Sequence, residues 1–328
     1  MTGKLRSLTY GDAGVSLEAA DAVVDRLRSA VASTRTPRVL GGLGGFAGLL
    51  SASGFRDPVI VTGTDGVGTK LLLQRETGRF RDAGIDLVGM CVNDVLCCGA
   101  APAAFLDYIA VGRLDPERVA ELVEGVADGC RQAGCALLGG ETAELPDLYA
   151  ADDFDLAGFA LGIVERDEIV DGSRVEVGDA ILALPSSGPH ANGFTLIRRL
   201  LERAGISAQD APAELLAPTR IYAAEVAALR TAGELRAIAH ITGGGLPGNL
   251  PRVLPEGIGA EVDPGDDPAL FAWLASLGVE RDEMRSVFNM GLGLVVIVPE
   301  SAVAGALAAV PDARRIGSAV TGSGVRYA

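Results

Sequence analysis

The chain has 328 residues, 28 Lys plus Arg against 43 Asp plus Glu, and a formal net charge of −15. Such acidity excludes a protein that coats nucleic-acid phosphates or docks on an anionic membrane, since both need clustered cations. With 48% hydrophobic and 22% charged residues, the length suits two folded domains.

Apolar runs such as Gly291 to Pro299 end at Gly or Pro far short of the ~20 residues a spanning helix needs. The N-terminal MTGKLRSLTYGDAGV lacks the apolar core of a secretory signal, so the cytosol is expected. Five Cys without Cys-x-x-Cys spacing read as buried thiols.

In chain order, VIVTG (59–63) predicts a strand and residues 85–100 a helix by their apolar spacing. AAFLDYIAVG (103–112) predicts a strand. Residues 116–134 predict a helix, with Asp115 as N-cap and Pro116 at its first position. CALLGG and LAGFALGIVE read as strands, and residues 165–178 turn polar. A second series begins at ILALPSSG. It has helices at 193–204 and near 219–232, strands at AIAHI and LVVIV, and a last helix at 302–310. The alternation is α/β in character, with domains expected at 1–170 and 171–328 and no repeat of solenoid period.

Glycine is in excess, 44 residues, and clusters at strand ends where a backbone without Cβ can approach a ligand. In VTGTDGVGTK (61–70) such a loop can present N–H groups to phosphate, with Asp65 holding Mg²⁺ and Lys70 balancing charge. The spacing is neither a Walker A nor a Rossmann loop, and the string also suits a glycine hairpin with solvated polar residues. Lysine occurs at Lys4 and Lys70 alone, so an Arg-rich chain keeps a compact point charge in this loop.

Asn93 and Asp94 interrupt an apolar helix, Asp107 interrupts an apolar strand, and Glu141 follows LLGG; Asp65, Asp94, Asp107 and Glu141 together read as ligands for a Mg²⁺ that bridges phosphates. Each acid taken singly also suits a cap or a satisfied buried carboxylate. Both histidines, His190 in PSSGPHANG and His240 in HITGGG, lie in glycine loops, which favours phosphate binding or acid–base work over zinc.

Several strings in order, DAGV (12–15), GGLGGF (41–46), TGTDGVGTK (62–70), VND (92–94), GGETAELP (139–146), SSGPHANG (186–193), LLAPTRIY (215–222), HITGGG (240–245), NLPRVLP (249–255) and FNMGLG (288–293), resemble phosphoribosylformylglycinamidine cyclo-ligase, also called aminoimidazole ribonucleotide synthetase. Shorter versions of the first-half strings occur in related ATP users such as thiamine-monophosphate kinase and a hydrogenase maturation protein. Met290 departs from the family pattern, where a small residue or Cys is expected, and the linker before LLAPTR is short.

The resemblance implies an α/β (α+β) two-domain fold whose N-terminal open sheet pairs with a second copy in a homodimeric, barrel-like core. It implies ATP-dependent ring closure of formylglycinamidine ribonucleotide to aminoimidazole ribonucleotide through an imino-phosphate, in purine biosynthesis. Under it, Gly44, Gly45, Asp65, Gly66, Gly68, Thr69, Lys70, Asp94, Asp107 and Glu141 would bind ATP, with Asp65, Asp94 and Glu141 on Mg²⁺ and K⁺ a further candidate. Ser187, His190, Asn192, His240, Thr242, Gly243, Gly244 and Gly245 would face the ribonucleotide, with Asp65, Lys70 and His190 closest to the chemistry.

Overall fold

The computed structural model describes residues 17–42 and 47–328. Helix α1 (Leu17–Ser33) is followed by a two-stranded ribbon, β1 (Val39–Leu40) with β2 (Leu49–Leu50). The first large sheet and its helices come next: β3 (Pro58–Gly66), α2 (Lys70–Thr77), α3 (Phe80–Cys97), β4 (Ala101–Val111), α4 (Pro116–Ala133), β5 (Ala136–Glu144) and β6 (Phe154–Glu165). Its strand order is β3-β6-β4-β5. Strand β6 runs antiparallel to β3 and β4, while β4 and β5 are parallel because α4 carries the chain across between them.

Helix α4 starts as its sequence predicts, with the Asp115 carboxylate accepting the N–H groups of Glu117 and Arg118 and Pro116 at the first position. Val119, Leu122, Val123, Val126 and Cys130 recur at helical spacing and are buried, so α4 packs its stripe against α3.

Strand alternation gives the sheet two unlike faces. Phe105, Asp107 and Ile109 of β4 point at the helices; a Cβ at Gly158, opposite Asp107, would strike Leu87 and Cys91 of α3. On the other face Ile60 and Phe159, 63% and 43% exposed, stand with Leu161, Leu106 and Tyr108. This half-barrel face is apolar and open in the single chain.

After residues 166–179 the second half contains β7 (Ala180–Pro185), α5 (Phe194–Ala204), α6 (Ala223–Ala232), β8 (Ala237–His240), α7 (Gly245–Asn249), β9 (Ile258–Val262), α8 (Ala269–Ser276), α9 (Arg281–Val287), β10 (Leu292–Val298), α10 (Val303–Ala309), β11 (Arg314–Thr321) and β12 (Val325–Tyr327). Its sheet has the order β12-β9-β11-β7-β10-β8, antiparallel except for β9 with β12. Strand β10, between β7 and the edge strand β8, is buried at every residue, which is why it reads as an unbroken apolar run. Both sheets are thus mainly antiparallel. The α/β alternation visible in the sequence translates into one parallel pair in each sheet.

Candidate active site

Helix α3 is the element on which the site is built. One side lies under the first sheet, another against α4, and a third meets the second half of the chain. On that third side Asn93 is fully buried, and its burial is compensated by hydrogen bonds. Its amide donates to Arg220 O (2.9 Å), its Oδ1 accepts Tyr222 N–H (3.1 Å), and its Nδ2 lies 3.4 Å from His240 Nε2. His240 Nδ1 lies 2.9 Å from Asp94 Oδ1. With Nδ1–H donating to Asp94, Nε2 is left as the acceptor for Asn93, so the network selects one tautomer. Asp94 itself is half exposed, with free carboxylate surface beside a buried imidazole.

Asp65, at the end of β3, faces α3 close to this pair. Burial raises its carboxyl above the usual range; the Gly66 N–H it accepts at 2.7 Å opposes that, and the neighbouring Asp94 charge adds to it. Two neighbouring carboxylates, one of them destabilised by the other's charge, form an oxygen donor pair that could hold a hard divalent cation such as Mg²⁺.

Glu141 does not join them. Asp65, Gly158, Asp107 and Gly140 pair in one row across the sheet, and Gly66, Ala157, Tyr108 and Glu141 in the next. Neighbouring rows point to opposite faces, so exposed Glu141 stands on the open face, three strands from Asp65 and roughly 14 Å away at ~4.8 Å per strand. No cluster of three or more acids, imidazoles or thiols able to hold a metal occurs among the described residues. The expected triad of Asp65, Asp94 and Glu141 is therefore not assembled within one chain, and the acid pair stands alone.

Asp107 also departs from expectation. It is 8% exposed, and its Oδ1 fills the place where a Cβ on Gly140 would stand, 1.9 Å away. Burial pushes its carboxyl up to about 7. It faces the helices inside the core, two strands from Asp65, and stands apart from the Asp65–Asp94 pair.

Lys70 is the third departure. Its side chain is wholly buried, with Nζ bonded to Asp86 Oδ1 (2.9 Å), His190 O (2.8 Å) and Ala217 O (2.8 Å). All three ammonium hydrogens are spent inside the protein. Burial lowers its pKa, and the charge and hydrogen bond of Asp86 oppose that lowering.

Gly44 and Gly45 lie outside the described residues, as does DAGV (12–15). Gly66 and Gly68 border the Asp65 loop, and Thr69 Oγ1 meets Thr195 Oγ1 at 2.9 Å.

The loops expected to face the ribonucleotide do converge. Asn192 Oδ1 accepts Gly243 N–H at 2.9 Å, joining the SSGPHANG and HITGGG loops, and Ser187 Oγ donates to Pro218 O. Buried Asn249 donates to the carbonyls of Thr242, Gly243 and Gly245, and its Oδ1 lies 3.4 Å from Thr242 Oγ1. Gly245 has φ +58°, and a Cβ there would stand 2.0 Å from Arg285 O; Gly244 has φ +100°. Only glycine suits such a turn.

His190 adopts φ +59° and is fully buried between Tyr222 and His240, with ring centroids at 6.2 and 6.1 Å. Neither ring nitrogen has a hydrogen-bond partner among the described residues. Burial first, with the Lys70 and Arg220 charges adding to it, holds its pKa well below the usual value, so the ring is neutral. Met290 packs against the apolar cluster of α5, α8 and α9 with φ +50° and leaves these contacts undisturbed.

The cysteines are unpaired thiols; burial pushes Cys91 and Cys97 up, which makes them inert. Asp86, Asn249 and Tyr222 carry the site and were not singled out from sequence. Asp86 had a legible signal, a lone acid inside the apolar run GIDLVGM.

Two sequence profiles cover most of the chain: the N-terminal domain of AIR synthase related proteins over residues 50–164 and the C-terminal domain over residues 176–327. A phosphoribosylformylglycinamidine cyclo-ligase of Sorangium cellulosum is 53% identical over 311 residues, 90% of this chain and 89% of that one. One of Synechococcus sp. RCC307 is 51% identical over 315 residues, 92% of each. Among solved structures, thiamine-monophosphate kinase from Stenotrophomonas maltophilia superposes with a TM-score of 0.70 at 21% identity, covering 93% of this chain and 95% of that one. The hydrogenase maturation protein HypE of E. coli gives 0.69 at 20%, covering 94% and 93%. These two share the fold. With matches running through both halves, and with the motif-bearing loops of each half meeting at one interface, this chain belongs to the AIR synthase family.

Proposed function

We infer that this chain is a phosphoribosylformylglycinamidine cyclo-ligase. It converts formylglycinamidine ribonucleotide and ATP into aminoimidazole ribonucleotide, ADP and phosphate, a step of purine biosynthesis. The observation that carries this reading is near-full-length likeness at about half identity to cyclo-ligases, in a chain whose acid pair and imidazoles meet across the two halves.

The formamide oxygen is a poor leaving group. Attack of that oxygen on the γ-phosphorus of ATP transfers the phosphoryl group to it, expels ADP and, with loss of the amide proton, makes an imino-phosphate; a nitrogen of the same molecule then attacks that carbon, phosphate departs and the attacking nitrogen gives up its proton. Because ring closure is intramolecular, the protein supplies orientation and charge placement and needs no covalent nucleophile.

Within that scheme Asp65 and Asp94 would hold Mg²⁺, which offsets triphosphate charge when bound. Gly44, Gly45, Gly66, Gly68 and Thr69 would give backbone and hydroxyl contacts to ATP. Ser187, Asn192 and the Thr242–Gly245 loop would face the ribonucleotide, and His240 would steer Asp94. Neutral His190, with both nitrogens unspent, would accept the proton released as the ring nitrogen attacks.

Residues 1–170 form the ATP-binding and dimerisation part and residues 171–328 the substrate part. A second copy would cover the open face carrying Ile60 and Phe159, as a large exposed apolar patch favours; from that face Glu141 reaches an ATP site only across the dimer. No helix among the described residues is long and apolar enough to cross a membrane, and a cytoplasmic location is proposed on that and on the acidic charge.

The test is a coupled assay with formylglycinamidine ribonucleotide, ATP and Mg²⁺, following phosphate and aminoimidazole together, with K⁺ titrated in to decide the monovalent requirement. Equal yields of both products are expected. Phosphate without aminoimidazole would overturn ring closure in favour of a kinase-like activity, and neither product would overturn the enzyme reading.

A further inference from the structure

We propose that Lys70 is a positioning residue, which ties the Asp65 loop to the His190 loop and makes no contact with ATP; the roles of those loops rest on the cyclo-ligase reading. Asp65 and Lys70 belong to one short segment, so wherever Lys70 is fastened, the acid loop is fastened too. Lys70 is fastened to the second half, through His190 O and Ala217 O, each at 2.8 Å. Thr69, one residue earlier, repeats the tie through Thr195 Oγ1. Two consecutive side chains of the first half therefore clamp the two ends of residues 190–195.

Asp86 closes the arrangement. Besides Lys70 it accepts Gln74 Nε2 (2.7 Å), Thr219 N (2.8 Å) and Thr219 Oγ1 (2.6 Å), so the 217–219 segment is held by both members of the ion pair. The Phe194 ring lies 5.4 Å from Nζ and closes the cage.

His190 needs such an anchor. Its backbone is in the left-handed region, which is costly for a residue with a side chain, and its ring nitrogens make no bond among the described residues. Its carbonyl, held by Lys70, is the polar contact that places it. This also accounts for a lysine here in a chain whose basic residues, Lys4 apart, are otherwise arginine. Three acceptors converge on one small ammonium, a geometry that a planar guanidinium cannot adopt.

The test neutralises the pair together, because removing one partner strands a buried charge. The double variant Lys70→Met/Asp86→Asn is compared with wild type by circular dichroism, by KM for each substrate and by the ratio of aminoimidazole to phosphate. A KM for ATP within about threefold of wild type is expected, with a KM for formylglycinamidine ribonucleotide at least about tenfold higher and a product ratio below one. A tenfold rise in the KM for ATP with the ratio intact would mean direct phosphate contact, and unchanged kinetics would mean a purely structural pair; either overturns the proposal.

A second readout uses the unaltered protein. With two lysines in the chain, ¹⁵N-lysine labelling yields two ammonium signals, and the Lys70 signal should exchange slowly and stay in place when Mg²⁺ and a non-hydrolysable ATP analogue are added. A large displacement of that signal by the nucleotide would overturn the proposal. Wild type that makes no aminoimidazole would defeat the functional reading alone, and the ammonium signal would still decide the placement of Lys70.

Discussion

Replacing Asp107 by Asn should make the protein more stable at alkaline pH and should flatten its stability against pH. The carboxyl is 8% exposed, no cation pairs with it among the described residues, and burial moves it from 3.8 to about 7. The folded protein thus holds this proton more tightly than the unfolded chain does. Between about pH 4 and pH 7 the native state binds more protons than the unfolded state, so stability falls as pH rises through that window. At ~1.4 kcal/mol per pH unit the full penalty is about 4 kcal/mol, and about 2–3 kcal/mol of it develops between pH 5 and pH 8. An amide of the same size has no charge to bury and fits beside Gly140. The assay is urea unfolding of both proteins at fixed concentration, at pH 5, 6, 7 and 8. The stability difference, variant minus wild type, should rise by about 2–3 kcal/mol across that range. A difference that stays constant with pH would show that Asp107 keeps its charge in the fold, and the reasoning would fail.

Asp65→Asn should lower phosphate release by at least about a hundredfold while circular dichroism and melting remain as in wild type, since it removes a half-exposed charge and keeps the shape. Asn93→Leu strands the buried Tyr222 N–H and Arg220 carbonyl and should cost about 2–6 kcal/mol in urea unfolding, at 1–3 kcal/mol for each of the two unmet groups. Phe159→Glu puts a charge on the open face of the first sheet and should give a monomer in light scattering where the proposed dimer is expected of wild type, while leaving the helical signal intact.

The elements whose residues repeat at one period were legible. Periodicity located β3, α3, β4 and α4, and the Asp115–Pro116 start of α4 matched to the residue. Strands β9, β11 and β12 were not, because they are short, of mixed polarity, and gain their character from strands far away in sequence. For the site, the glycine loops of the second half pointed to segments that the fold brings together, yet three side chains expected at the site have other surroundings. Glu141 and Asp65 look alike as acids after apolar strands, and only strand order and pairing phase place them on opposite faces. Asp107 and Lys70 look like ligands until burial shows what surrounds them.

The Lys70 difference has its cause in α3, whose residues at helical spacing face the second half of the chain. Asp86, Gly89, Met90, Asn93 and Asp94 meet Thr219, Asn192, Tyr222 and His240 across the interface. Gly89 tests whether this seam sets the site. A Cβ there would stand 2.8 Å from Thr219 Cγ2 and 2.9 Å from its Cβ. Thr219 cannot simply rotate away, because its hydroxyl and N–H both bond Asp86. The loop must move as a unit, carrying Ala217 and the Lys70 contact with it. Gly89→Ala should therefore cost about 1–3 kcal/mol of stability, as overpacking does. It should also raise the KM for formylglycinamidine ribonucleotide more than the KM for ATP. If stability falls while both KM values hold, the seam is packing alone, and the site does not depend on how α3 seats the second half.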